Sequence, residues 1–135
     1  MESVRLPRTL VNQLLAHAQR FPDTEVCGLI GARDGEPLRC YPVDNTASEP
    51  GRLFEMDPRE QIDAMRQMRE AGESLFAIYH SHPHSPPEPS ATDLEQAAYP
   101  DALYLIISLD TKGVLQMKGF RLADGTARAV ELEVL

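Results

Sequence analysis

The chain of 135 residues has only two cysteines, Cys27 and Cys40, and no C-x-x-C pair. That is too little for a disulfide scaffold, and it offers neither a zinc knuckle nor a redox pair. Basic residues are also scarce: 13 Lys and Arg stand against 21 Asp and Glu, a net charge of −8. Affinity for a phosphate backbone comes from Lys and Arg displacing counterions, so nucleic acid is disfavoured as the main partner. No window approaches the roughly 18 apolar residues of a membrane span. Met1-Glu2-Ser3-Val4-Arg5 lacks a basic patch leading into an apolar run. A soluble, cytoplasmic protein with no membrane partner is expected. In that compartment Cys27 and Cys40 are expected to stay unpaired, although the strands carrying them could be hairpin partners.

What is present fits one globular domain over residues 1–135, with 42% apolar and 25% charged residues. Leu10, Leu14 and Ala18 form a stripe with Val11 and Leu15 beside it, which predicts an amphipathic helix over 8–20, stopped by Phe21-Pro22. Glu25 to Gly31 reads as a short buried strand, Asp34-Gly35 as a turn and Leu38 to Val43 as the antiparallel partner. Residues 44–56 read as loop with a short extended piece at Leu53 to Met56. Asp57 can cap a helix, Pro58 suits its first position, Glu60 can close a capping box and Gly72 stops it. Ile62, Met65 and Met68 are the expected apolar side of that helix, the methionines as core filler and not as metal ligands. Leu75 to Tyr79 looks like a buried strand, Ser90 to Tyr99 a short helix, and Ala102 to Leu109 another buried strand. Thr111-Lys112-Gly113 should turn into a strand at Val114 to Leu122, and Asp124-Gly125 into a last strand at Ala127 to Leu135 with one wet face. This order predicts an α+β fold of three-layer type, a mixed sheet with helices packed on it.

The segment from His80 to Asp93 holds three of the four histidines and four prolines. Side chains two apart on a strand face the same way, so His80 and His82 should point together. Two imidazoles, with the Asp93 carboxylate returning a short loop later, supply three metal ligands and leave a fourth tetrahedral position open, as a catalytic site requires. The ordinary alternative is a polar loop followed by a helix capping box at Ser90-Ala91-Thr92-Asp93. It accounts less well for the histidines, because each ring at the end of a buried strand would need a buried partner. Zinc suits the donor set, although iron and other first-row ions use the same ligands. Pro83, Pro86, Pro87 and Pro89 read as stiffeners of the intervening loop and not as an SH3-type ligand. His84 reads as a loop residue, and His17 sits on a predicted helix without a functional signal.

His80-x-His82-Pro83, seven residues, Ser90, two residues and Asp93, with Glu25 upstream in Glu25-Val26-Cys27-Gly28-Leu29-Ile30-Gly31, resembles the signature of the JAMM metalloproteases. These are the MPN-plus branch of the Mov34 domain family, and the likeness runs from near residue 4 to about residue 122. The resemblance implies a mixed, mostly antiparallel sheet flanked by helices, related to the cytidine-deaminase-like fold. It implies one Zn2+ per chain held by His80, His82 and Asp93, with Glu25 as general base. Ser90 would donate a hydrogen bond to the oxyanion of the tetrahedral intermediate. Outside the motif, a Glu at a strand start is an ordinary surface residue. Parity puts Cys27 on the face of Glu25, where it reads as a packing residue with no His assigned to activate it.

Family members cleave peptide or isopeptide bonds, often after the C-terminal glycines of ubiquitin or ubiquitin-like proteins. Short and without a long insertion, this chain is similar to the compact bacterial-type members, whose suggested substrates are sulfur-carrier proteins ending in Gly-Gly. The expected activity is zinc-dependent peptidase or isopeptidase hydrolysis of the bond after that Gly-Gly. Two competing expectations are a non-catalytic MPN-type scaffold and a DNA-repair-associated JAMM-like protein. The intact ligand set disfavours the first, and the acidic balance and the context of Glu25 disfavour the second. A cytidine deaminase would need His-x-Glu and Cys-x-x-Cys, which the segment lacks.

Overall fold

The computed structural model describes residues 1–110 and 115–135. Its elements in chain order are β1 (Ser3–Leu6), α1 (Arg8–Arg20), β2 (Cys27–Arg33), β3 (Glu36–Val43), α2 (Pro58–Glu70), β4 (Ser74–His82), α3 (Ala91–Gln96), β5 (Leu103–Ser108), β6 (Gln116–Ala123) and β7 (Thr126–Val134). The strands form one sheet in the order β1-β7-β6-β5-β4-β2-β3. Pairs β4/β5 and β1/β7 are parallel and the others antiparallel. The mixed, mostly antiparallel α+β expectation therefore holds.

Both faces of the sheet are covered, which explains the continuous apolar runs of β2, β4 and β5. On one face Leu10, Val11, Leu14 and Ala18 of α1 pack with Ile30, Ala77, Tyr79, Leu103 and Leu105. On the other, Ala64 and Met68 of α2 pack with Leu29, Ile78 and Ile106, joined at the margin by Leu94 of α3. The result is three layers, helix, sheet, helices. No described helix is long and apolar enough to cross a membrane.

Turn chemistry sets the two hairpins. Asp34 and Gly35 have φ of 52° and 79°, and Asp124 and Gly125 have 54° and 71°. Positive φ at both central residues matches the strand twist in a two-residue hairpin. The expected turn at Thr111-Lys112-Gly113, with Val114, lies outside the described residues.

Three local expectations need correction. Strand β1 was not foreseen; it is four residues long and pairs in parallel with β7, with Ser3 opposite Glu131. Asp57 caps α2, accepting from the N–H groups of Arg59 and Glu60, but Glu60 does not close a capping box. The Asp57 N–H is already bonded to the Asp44 carbonyl, and the Glu60 carboxylate takes the Asp44 N–H at 3.2 Å. Ile62 is 70% exposed. The α2 seam runs instead through Ala64 and Met68, one turn apart, with Met65 packed against it.

Candidate active site

β4 ends in His80-Ser81-His82 beside the start of β2, and Cys27 is the residue opposite His80. Pairing continues past the end of β2: Ser81 N–H donates to the Val26 carbonyl at 3.0 Å, and Val26 N–H donates to Ser81 Oγ at 2.8 Å. Glu25 therefore falls beside His82, on the face it shares with Cys27 and His80. Glu25, His80 and His82 are 5%, 1% and 3% exposed. Each can offer a ligand atom, and those atoms lie within 4.8 Å of one another.

Asp93 arrives from the first turn of α3. Its Oδ2 lies 3.1 Å from His80 Nε2 and 3.2 Å from His82 Nε2, and the two Nε2 atoms are 3.1 Å apart. The Nδ1 of His82 is 2.8 Å from the Pro86 carbonyl. A carbonyl only accepts, so Nδ1 carries the proton and a neutral His82 presents a lone pair at Nε2. That lone pair and the Asp93 carboxylate face each other closely, and a cation between them would relieve their repulsion. Their spacing is near the roughly 3.3 Å edge of a tetrahedron with ligands at about 2.0–2.1 Å. The donor set fits a zinc-type ion.

The capping-box expectation for Ser90 and Asp93 holds as well: Asp93 N–H donates to Ser90 Oγ at 3.0 Å, and Ser90 N–H donates to Asp93 Oδ2 at 2.9 Å. The oxygen that closes the cap is the one that faces the imidazoles. Ser90 is exposed. Its Oγ is used as an acceptor, so its hydroxyl proton remains available to donate. The loop between is pinned by Ser108 Oγ–H donating to the Ser85 carbonyl at 2.7 Å and by the Lys118–Glu88 pair at 2.8 Å.

Charge is strongly perturbed here. Burial pushes the Glu25 carboxyl up to about 7, with the Asp93 charge adding to it and His82 opposing it. Glu25 Oε1 is buried without a hydrogen-bond partner. Burial alone would also raise Asp93, but the facing His80 and His82 rings and the Ser90 N–H hold it well below the usual carboxylate range. Burial lowers His80. For His82 the same burial is outweighed by Asp93 and the Pro86 carbonyl, and the net shift is upward.

Cys27 is fully buried and its Sγ–H donates to the Val43 carbonyl at 3.3 Å. Burial, with the Glu25 charge, pushes that thiol up to about 12, which fits packing and not nucleophilic attack. Cys40 pairs with Ile30 in the hairpin, and both cysteines are free. His84 is exposed in the loop. His17 has a bond the sequence did not signal, 2.8 Å from Nδ1 to the Tyr79 hydroxyl. Three residues of the centre's surroundings were also missed. Ser81 ties β4 to Val26, Phe54 stacks on His80 with ring centroids 4.4 Å apart and planes at 24°, and Asn45 bonds the Glu25 carbonyl at 2.9 Å. The extended piece expected at Leu53 to Met56 was the only hint of Phe54's place.

Three N/O donors gathered beside a buried carboxylate are the parts of a metal-dependent hydrolase. The family model described as prokaryotic homologs of the JAB domain matches residues 7–121, so the chain belongs to that family and is a hydrolase of the JAMM type. It is 40% identical over 105 residues to the desampylase of Haloferax volcanii, covering 73% of this chain and 76% of that one. It is 33% identical over 128 residues to the CysO-cysteine peptidase of Mycobacterium tuberculosis, covering 93% and 87%. A solution structure of a Desulfitobacterium hafniense protein matches with a TM-score of 0.85 and 36% identity, over 97% of this chain and 92% of that one.

Proposed function

We propose that this protein, one domain over residues 1–135, is a cytoplasmic zinc-dependent peptidase or isopeptidase. It hydrolyses the bond after the C-terminal Gly-Gly of a ubiquitin-like protein of the sulfur-carrier type. The observation that carries this reading is the meeting of His80 Nε2, His82 Nε2 and Asp93 Oδ2 at 3.1–3.2 Å beside the unpartnered carboxylate oxygen of Glu25. His80, His82 and Asp93 would hold one Zn2+, which when bound supplies a Lewis acid and lowers the pKa of a water toward about 7. Glu25 takes the proton of the attacking water and returns it to the leaving amine, a role that suits a carboxyl raised to about 7. The Ser90 hydroxyl donates to the scissile carbonyl oxygen as it gains charge.

The names of the desampylase and the CysO-cysteine peptidase support a carrier-protein substrate. A cavity of about 210 Å³ lined by Phe54, Met56, Ile78, Tyr99 and Tyr104 borders the centre through Phe54, and the substrate tail is assigned to it. The test is mass spectrometry of carrier proteins extended past Gly-Gly and incubated with the zinc-loaded protein. Products ending in Gly-Gly are expected, lost with a chelator and regained with zinc. Carriers left intact by the loaded protein would overturn the substrate assignment.

A further inference from the structure

Glu25 lies just before β2, so the regular ladder does not hold its backbone. The loop at 44–56 holds it instead. Glu25 N–H donates to the Pro50 carbonyl at 2.7 Å, and the Glu25 carbonyl accepts from Asn45 Nδ2 at 2.9 Å. The same Nδ2 donates its second proton to the Leu53 carbonyl at 2.9 Å. Asn45 Oδ1 accepts from the N–H groups of Ala47 and Glu55, both at 3.0 Å. A carboxamide has two donors and room for two acceptor bonds, and here all four are used. Two carbonyls on one side and two N–H groups on the other also allow only one orientation of the amide.

Two of these bonds flank Phe54, whose ring stacks on His80. One side chain thus joins the backbone of the residue read as the base to the segment lying against a residue read as a metal ligand. We propose that Asn45 is a positioning residue for the reaction, fixing where the Glu25 carboxylate stands relative to His80 and His82. The proposal rests on the reading of Glu25 as the base. Without the Asn45 bond, Glu25 is held from the loop through Pro50 alone, and a displacement of about 1 Å at a reacting group can cost on the order of 10²-fold in rate.

Two full-chain variants separate positioning from loop support. Asn45→Asp keeps the oxygen that accepts from Ala47 and Glu55 but turns an oxygen toward the carbonyls of Glu25 and Leu53. Asn45→Ala removes all four bonds. With zinc-loaded protein and a Gly-Gly-extended carrier, Asn45→Asp is expected to lower kcat about tenfold or more while KM and zinc affinity stay within about threefold. A wild-type kcat in Asn45→Asp, or a kcat loss matched by equal loss of zinc affinity, overturns the proposal. In metal-free wild-type protein, both Asn45 side-chain amide protons should exchange slowly with solvent by NMR. Fast exchange overturns the clamp without any variant having to fold. A wild type that binds zinc and cleaves no carrier would overturn the proposed activity, and the catalytic part of this proposal with it, while the exchange measurement still decides the clamp.

Discussion

Cys27 stands opposite His80 in the antiparallel pairing of β2 with β4. From that register Glu25 reaches His82 although the two are far apart in sequence. A slip of one residue would turn Glu25 to the α1 face and empty the centre of its carboxylate, because side chains alternate along a strand.

Gly28 guards this register. It faces Tyr79, and a Cβ there would stand 2.5 Å from the tyrosine ring and hydroxyl and 2.6 Å from the Tyr41 carbonyl. Backbone and a fully buried ring cannot yield cheaply. Gly28→Ala is expected to destabilise the fold by about 1–3 kcal/mol. Urea unfolding of the metal-free protein checks this, and an unchanged midpoint would count against such tight packing.

Ser90 is assigned two roles that substitution can part. Ser90→Ala loses the acceptor for the Asp93 N–H and is expected to cost about 1 kcal/mol of stability as well as turnover. Ser90→Asp can still cap but brings no hydroxyl proton, so it should recover stability and not kcat. Full recovery of kcat in the Asp variant would show that capping is all Ser90 contributes.

Glu25 should leave a mark on the metal-free protein. Its carboxyl titrates at about 7 in the fold against an ordinary value of 4.5. The folded state therefore holds the proton more tightly, and this contribution to stability is complete below pH 4.5 and is lost as pH rises through about 7. Glu25→Gln cannot titrate, so relative to wild type it should gain stability between those limits. A wild-type-minus-variant difference that is flat with pH, from unfolding titrations in the presence of chelator, would contradict the burial of this charge.

The legible parts of the fold were those whose signals are carried by neighbouring residues. Asp34-Gly35 and Asp124-Gly125 announce their turns, Asp57-Pro58 announces a helix start, and the spacing of His80 and His82 puts both rings on one face. What stayed hidden depends on partners distant in sequence. β1 exists because residues 3–6 meet residues 131–134. Glu60 leaves its cap for Asp44. Asn45 sits in a stretch without periodicity, and its bonds reach back to Glu25 and forward to Leu53 and Glu55. The motif named Glu25, His80, His82, Ser90 and Asp93, and the fold brings the first three side chains and the Asp93 carboxylate together. The supports around them follow from the tertiary path of the 44–56 loop, which no local pattern encodes.

The most direct test is the rate at which zinc-loaded Glu25→Gln cleaves a Gly-Gly-extended carrier under single-turnover conditions. The amide keeps the size of the side chain and leaves His80, His82 and Asp93 untouched. On the proposed three-ligand centre the variant should hold about one zinc per chain and lose on the order of 10²–10⁴-fold in rate. A rate near that of the wild type, with zinc bound, would contradict the assignment of Glu25 as the proton-handling group.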